Sequence, residues 1–372
     1  MHSFLDFDQA RDIAKKHGTP VLVLSKQKVI EKYSKLSNAL PRVSLYYALK
    51  ANPHVEVVRI LNEAGSNFDI CSIGEFNTLQ GLQINTGNGR VIYTNPTKKE
   101  EEIRFIYGRG IDLFVFDNSL ELRKIAQSAP GGNVLLRLEV SNPHCAVNLS
   151  YKFGAEAGEA EPLISEAVSL GLNVKGICFH VGSQTANPQP YADTIMTCKK
   201  IADRLTSKGI RLDLLDIGGG FPVSYTSSIM PIEKFCEPIN EALDNFPPDT
   251  RIIAEPGRFL VGDAVVLITK VIGKSRRKDV QWYFLDDGLY NSFSGKVYDN
   301  TDYNIISEKT RNKEQCVVAG PTCDSFDVIS TKKVLPELEM GDLLLVTSMG
   351  AYTSCSASEF NCHKRTPTVV VD

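Results

Sequence analysis

The run Leu45-Tyr46-Tyr47-Ala48-Leu49-Lys50-Ala51-Asn52-Pro53 opens as a buried strand and closes as a helix start. Its first half is apolar on both faces, the habit of a strand covered on both sides rather than of one facing water. Asn52-Pro53 then carries the chemistry of a helix entrance, a capping side chain before a residue whose φ is already set. Between the two stands a lysine. A lysine at a strand end ordinarily runs its stem along protein and puts its amine in water. One held at the carboxyl end of a buried strand projects into a site instead. Desolvated there, it loses part of its preference for charge and becomes an imine-forming amine.

Outward from this run the same alternation repeats. Eight strand-like segments are predicted: Ser44–Leu49, Phe68–Ser72, Val91–Thr94, Leu113–Phe116, Val134–Val140, Val174–His180, Leu212–Ile217 and Arg251–Ala254. Amphipathic helical stretches lie between them. Asn52-Pro53 opens the first, Ser72-Ile73-Gly74-Glu75 reads as a capping box for the second, Thr97 opens the third and Asn118 or Ser119 the fourth. Residues 155–170, 189–208 and 231–245 supply later helices. Eight βα units in little more than 200 residues, without a clear switch point, predict a closed (β/α)8 barrel rather than an open doubly wound sheet. After Gly262 the texture becomes strand-rich and turn-rich: Val265–Val271, Trp282–Leu285, Val317–Ala319, Leu343–Thr347 and Thr368–Val371. The expected organisation is an α/β barrel over residues 25–263 and a mostly-β domain over 264–372. Residues 1–24, with β-like Val21–Leu24, fit either.

Composition narrows the function classes. A chain of 372 residues is long enough for two domains, and 42% hydrophobic with 23% charged residues is ordinary for a soluble globular protein. A net charge of −3 gives no reason to expect nucleic-acid binding, and the basic Lys274–Lys278 cluster reads as a solvated turn. No apolar stretch approaches a membrane span, and Met1–Asp12 lacks the plan of a signal peptide. Nine cysteines without a C-x-x-C pair, and six histidines without a clustered motif, point away from a disulfide framework or a metal site. A reducing, cytoplasmic compartment is expected.

In a barrel of this kind the chemistry gathers at the carboxyl ends of the strands. Those ends read Lys50, Asp69, Asn95, Asp117, Arg137, His180, Gly218-Gly219-Gly220, and Glu255 with Arg258. Amine, imidazole, glycine turn, carboxylate and guanidinium together suit one cofactor, pyridoxal 5′-phosphate. Its phosphate needs close backbone approach and oriented N–H donors, which a Gly-Gly-Gly turn supplies, and Arg258 adds a charge-assisted contact. Its ring nitrogen needs an acid to stay protonated, a part Glu255 fits. His180 can lie over the ring while Ser183 reaches the phosphate.

The motifs Tyr46-Ala48-Leu49-Lys50-Ala51-Asn52, Phe68-Asp-Ile-Cys-Ser72, Lys152-Phe-Gly154, Phe179-His-Val-Gly-Ser183, Asp216-Ile-Gly-Gly-Gly-Phe-Pro222 and Glu255-Pro-Gly-Arg258 resemble the ornithine/arginine decarboxylase family. So do Asp287-Gly-Leu-Tyr290, Gly320-Pro-Thr-Cys-Asp-Ser325 and Met349-Gly-Ala-Tyr352. The resemblance runs in order over nearly the whole chain. It implies an alanine-racemase-like barrel of fold type III with a C-terminal β domain. In length the chain is similar to a short chlorella-virus enzyme of that family that prefers arginine, which would imply host cytosol were the source viral. A compact member without a long regulatory tail is expected.

Residue by residue, the resemblance implies that Lys50 carries the cofactor, Glu255 pairs its ring nitrogen and His180 stacks on it. Ser183, Gly218, Gly219, Gly220, Arg258 and Tyr352 match phosphate ligands, with Gly257 beside them, and Asp69 and Arg137 lie near the lysine. Cys323 matches the proton donor that acts after carbon dioxide leaves. Cys323 and Asp324 would come from the partner subunit of a homodimer with shared active sites, and Lys152 with Asp327 would bridge that interface. Asp299, Asp324, Tyr290 and Phe360 match residues around the substrate. The substrate is a basic L-amino acid, since a buried cation calls for carboxylates. The segment Lys296-Val-Tyr-Asp-Asn-Thr-Asp302 departs from the ornithine pattern, so the expectation is L-arginine giving agmatine and carbon dioxide in polyamine biosynthesis. L-ornithine giving putrescine is the alternative. Diaminopimelate decarboxylase fits less well, because Asp324 has the wrong charge for a distal carboxylate. A racemase would want a cation where Glu255 stands. A cofactor-free binding protein, like the antizyme-inhibitor relatives, would have no use for Lys50, Glu255, Arg258 and Cys323 together.

Overall fold

The computed structural model describes residues 3–143 and 145–372. The chain opens with helix α1 (Phe7–His17), strand β1 (Val21–Ser25) and helix α2 (Lys26–Ala39). Eight parallel strands follow: β2 (Val43–Ala48), β3 (Asn67–Ile70), β4 (Val91–Tyr93), β5 (Leu113–Phe116), β6 (Asn133–Leu138), β7 (Asn173–Phe179), β8 (Leu214–Asp216) and β9 (Arg251–Ala254). They close into a barrel, with β9 pairing back onto β2. Tyr46, Ile92, Val115, Leu135, Cys178, Leu214 and Ile253, one from each of seven strands, form one buried cluster. Such layers make the barrel a packed core rather than a pore.

Helices α3 (Val55–Glu63), α4 (Ile73–Gly81), α5 (Glu100–Tyr107), α6 (Ser119–Ser128), α7 (Ala160–Ser169), α8 (Gln189–Ser207) and α9 (Ile232–Leu243) join the strands. In α8, Tyr191, Thr194, Ile195, Cys198, Ile201 and Leu205 are buried at helical spacing. Asn118 caps α6 through the amide of Glu121. Two starts differ from expectation. Asn52 takes the amide of His54, and His54 itself is the N-cap of α3, so that helix begins two residues late. α5 begins at Glu100 without a side-chain cap. In the second helix Ser72 does cap the Glu75 amide, but the Glu75 carboxylate reaches the amide of Cys71 instead of Ser72.

The remaining strands are β10 (Val265–Arg277), β11 (Val280–Leu285), β12 (Ile305–Ser307), β13 (Glu314–Ala319), β14 (Val328–Leu335), β15 (Leu343–Val346) and β16 (Thr368–Val371). They run in the order β12-β15-β10-β11-β13-β14, and β1 pairs antiparallel with β10 and parallel with β16. The N-terminal strand therefore belongs to this mixed sheet. α1 packs over it through Ala10, in a cluster with Val21, Val23, Val266, Ile268 and Leu345. The expected basic turn at Lys274–Lys278 is mostly strand: β10 runs to Arg277, and the reversal is Lys278-Asp279, both at positive φ. Two compact units result. One holds Ile30–Pro222 with Ile229–Gly257; the other holds the chain up to Val29, Val223–Ser228 and Arg258–Asp372. Among the described residues no helix is long and apolar enough to cross a membrane.

Candidate active site

β2 stops at Ala48, and a single 3-10 turn, Leu49–Ala51, follows. Leu49 and Ala51 point inward and are buried, which leaves Lys50 between them at the end of the strand. Its Nζ donates to Asp69 Oδ2 at 2.8 Å and lies 3.7 Å from Cys71 Sγ. Asp69, on β3, is fully buried, and its other oxygen accepts from Thr94 Oγ1 at 2.5 Å. Three successive strand ends thus fix one amine. Burial pushes the Cys71 thiol well up, so it stays neutral beside the ammonium.

His180 follows β7. Its Nδ1 accepts the Gly182 amide at 3.0 Å, which puts the ring hydrogen on Nε2. Burial, with the Arg137 and Lys50 charges nearby, pushes its pKa well below the ordinary value. It is a neutral imidazole.

The turn after β8 is the sharpest feature of the barrel unit. A Cβ at Gly218 would fall 2.1 Å from Phe179 O, at Gly219 2.6 Å from Glu255 O, and at Gly220 2.4 Å from Gly182 O. Gly218 and Gly220 also hold φ +64° and +116°. All three carbonyls are taken: Gly218 O by the Glu255 amide, Gly219 O by the Tyr191 hydroxyl, Gly220 O by the Thr185 amide. The amides of Gly219 and Gly220 meet no acceptor among the described residues. Such a turn is a ready anion cradle. Ser183 lies in the preceding loop, its amide donating to Val147 O at 3.0 Å and its carbonyl accepting from the Ala146 amide at 2.9 Å.

Glu255, directly after β9, is 9% exposed. Burial and Asp69 raise its pKa, while Lys50, Asp216 and Arg137 oppose that rise. Asn95 and Asp117, also at strand ends, turn to backbone instead: Asn95 donates to Thr97 O, and Asp117 takes the Gly154 amide.

In the β unit, Arg258 is 4% exposed. It donates to Tyr225 Oη at 2.5 Å and to Asp299, and its guanidinium sits 4.8 Å from the Tyr352 ring centroid. Cys323 is exposed, with its amide on Asn361 Oδ1 at 3.1 Å. Tyr290 donates its hydroxyl to Asp324 and stacks on Phe360, centroids 4.3 Å apart. That hydroxyl and the Phe326 amide hold the Asp324 carboxyl below the usual range. So the fold gathers Tyr290, Asp324 and Phe360, three of the four expected substrate residues.

Asp299, the fourth, is spent on Arg258. The neighbouring departures from the ornithine pattern are likewise used within the fold: Thr301 donates to Asp299, and Asp302 pairs with Lys333 at 3.2 Å. Asp327, expected to bridge subunits, is 2% exposed and takes the Leu289 amide, the Thr322 amide and the Thr322 hydroxyl. Lys152, its expected counterpart across subunits, places its Nζ 4.8 Å over the Phe153 ring of its own chain. Sequence reasoning missed Thr94 and Tyr225, which hold Asp69 and Arg258, because tertiary pairing alone brings them there.

A closed barrel that presents an amine on a buried acid, a neutral imidazole, an anion cradle and a buried carboxylate defines an enzyme built around a phosphorylated aldehyde cofactor. Residues 26–262 match the family of the pyridoxal-dependent decarboxylases, over their pyridoxal-binding domain. The lysine/ornithine decarboxylase of Selenomonas ruminantium is 39% identical over 365 residues, 98% of this chain and 92% of that protein. The ornithine decarboxylase of Schizosaccharomyces pombe is 36% identical over 350 residues, 90% and 79% of the two chains. The crystal structure of the Paramecium bursaria Chlorella virus arginine decarboxylase superposes with a TM-score of 0.91 at 30% identity, covering 98% of this chain and 100% of that one. The chain belongs to the pyridoxal-dependent ornithine/arginine decarboxylase family and is a pyridoxal phosphate-dependent decarboxylase of basic amino acids.

Proposed function

We propose that this enzyme decarboxylates L-ornithine to putrescine, as a homodimer in which Cys323 and Asp324 serve the partner's barrel. The observation that carries the substrate choice is the commitment of the Lys296–Asp302 segment to its own fold. Asp299 serves Arg258, and Asp302 serves Lys333. The sequence departures that favoured L-arginine therefore have structural uses, and a guanidinium substrate is no longer needed to account for them. Relatives named for ornithine are also more similar than the arginine enzyme, 39% and 36% against 30%. L-lysine is the second reading, because the 39% relative is named for both amino acids.

The residues fit the cofactor. Lys50 is the amine that would hold it, and Asp69 holds that amine in place. The amides of Gly219 and Gly220, with Ser183, would hold its phosphate. Neutral His180 would give its ring a flat, uncharged neighbour. Glu255 would hold the ring nitrogen protonated. The bound cofactor supplies the sink for the electrons left when carbon dioxide departs. Asp324, oriented by the Tyr290 hydroxyl, meets the distal ammonium of the substrate, and Cys323 returns a proton to Cα.

The test is kcat/KM for L-ornithine, L-lysine and L-arginine on the purified enzyme. Ornithine should exceed arginine by about tenfold or more. Arginine in the lead would overturn the choice.

A further inference from the structure

Asp216 ends β8 directly before the glycine turn and is fully buried. Its Oδ1 accepts the Gly218 amide at 2.8 Å. Its Oδ2, also buried, has no donor among the described residues. Its neighbour there is Glu255, whose amide donates to Gly218 O at 2.8 Å and whose carboxyl interacts with that of Asp216. Two ionised carboxylates in that contact would repel in a poorly solvated site, whereas one hydrogen between them makes a strong bond. We propose that Asp216 is a neutral carboxylic acid whose hydrogen lies between its Oδ2 and Glu255, making it the positioning residue that keeps Glu255 ionised and aimed.

The hydrogen belongs on Asp216 rather than Glu255 because of what surrounds each. Lys50 and Arg137 lie near enough to Glu255 to favour its anion. Asp216 has burial against ionisation, with the charges of Glu255 and Asp69 adding to it, and only the Gly218 amide in favour. Cys178, from β7, is neutral, its thiol pushed well up by burial first and by Asp216 and Glu255 next. Tyr46, from β2, also has Asp216 in its field, with its own pKa raised chiefly by burial. The backbone locks the arrangement: Glu255 N donates to Gly218 O, and Gly218 N donates to Asp216, so turn and carboxyl pair form one hydrogen-bonded ring.

This inference rests on the reading of Glu255 as the partner of the cofactor ring, but its test begins without cofactor. Asparagine reproduces a protonated aspartate, one acceptor and one donor; leucine reproduces neither. In cofactor-free protein at neutral pH the difference infrared spectrum, parent minus Asp216→Asn, should show the carbonyl stretch of a protonated carboxylic acid. Asp216→Asn should melt close to the parent, and Asp216→Leu well below it. With cofactor added, Asp216→Asn should keep affinity within about threefold, while Asp216→Leu loses about tenfold or more, the usual cost of a buried group left without its donor. Should Asp216→Leu fail to fold, the infrared band and the Asp216→Asn melt still decide. An unchanged band in Asp216→Asn, or a melt that collapses as far as in Asp216→Leu, would show that Asp216 is ionised and would overturn the proposal. Loss of cofactor binding in the parent protein would instead contradict the functional reading while leaving the carboxyl pair standing.

Discussion

Lys50 and Asp69 form a 2.8 Å ion pair between an amine that is partly open to solvent and a carboxylate that is not. Removing the amine leaves the carboxylate buried and unpaired and takes away the attachment point of the cofactor. Lys50→Ala should therefore lose both turnover and the visible absorbance of bound cofactor; retention of either, read by assay and spectrum, would contradict its role. Tyr290 acts on binding instead. Tyr290→Phe takes the hydroxyl from Asp324, whose pKa then climbs back toward the ordinary range. KM should rise by about tenfold with kcat within about twofold, because the contact is made equally in ground and transition states. A fall in kcat at constant KM would place Tyr290 in the chemistry. At this scale the sequence was readable where a chemical group follows an apolar run, as at Lys50, His180 and Glu255. It was not readable where a partner decides the role. Asp299 reads as a substrate acid until Arg258, 41 residues away, is found on it.

The elements that carry these residues set their own conditions. The Glu75 carboxyl at the start of α4 takes the Cys71 amide at 2.6 Å, and its pKa is raised to about 7, chiefly by burial. The folded chain then binds a proton that the unfolded chain has released between pH about 4.5 and about 7. This group stabilises the fold below that window and loses its contribution as pH rises through it, by up to about 3 kcal/mol. Glu75→Gln should flatten that part of the stability profile, measured by denaturant unfolding at several pH values; an unchanged slope would contradict it. His180 has the opposite sign: its pKa is depressed by burial, so its contribution is lost as pH falls below the ordinary imidazole value. The eight barrel strands were legible because burial on both faces writes continuous apolar runs. β12 and β14 were not. Both lie at the ends of the sheet order, one only three residues long and the other carrying exposed Thr331 and Lys332. Edge strands are kept short or charged, which blurs the alternation that would announce them.

At the scale of the whole molecule, sequence left the N-terminal strand open between two domains, since Val21–Leu24 is apolar at every position and its partners are more than 240 residues away in β10 and more than 340 away in β16. Pairing distance of that kind is invisible to local pattern. The proposed dimer has a test that no single chain can satisfy. Lys50→Ala and Cys323→Ala proteins, each nearly inactive, should on mixing recover about a quarter of parent activity, since half the dimers are mixed and each has one complete site. No recovery, with exchange verified by light scattering, would confine the site to one subunit. The central claim is that one amine at the barrel mouth holds the cofactor. Borohydride reduction of the holoenzyme followed by peptide mapping tests it most directly: the pyridoxyl group should be found on the peptide containing Lys50, and an adduct on any other lysine, or none, would contradict the account.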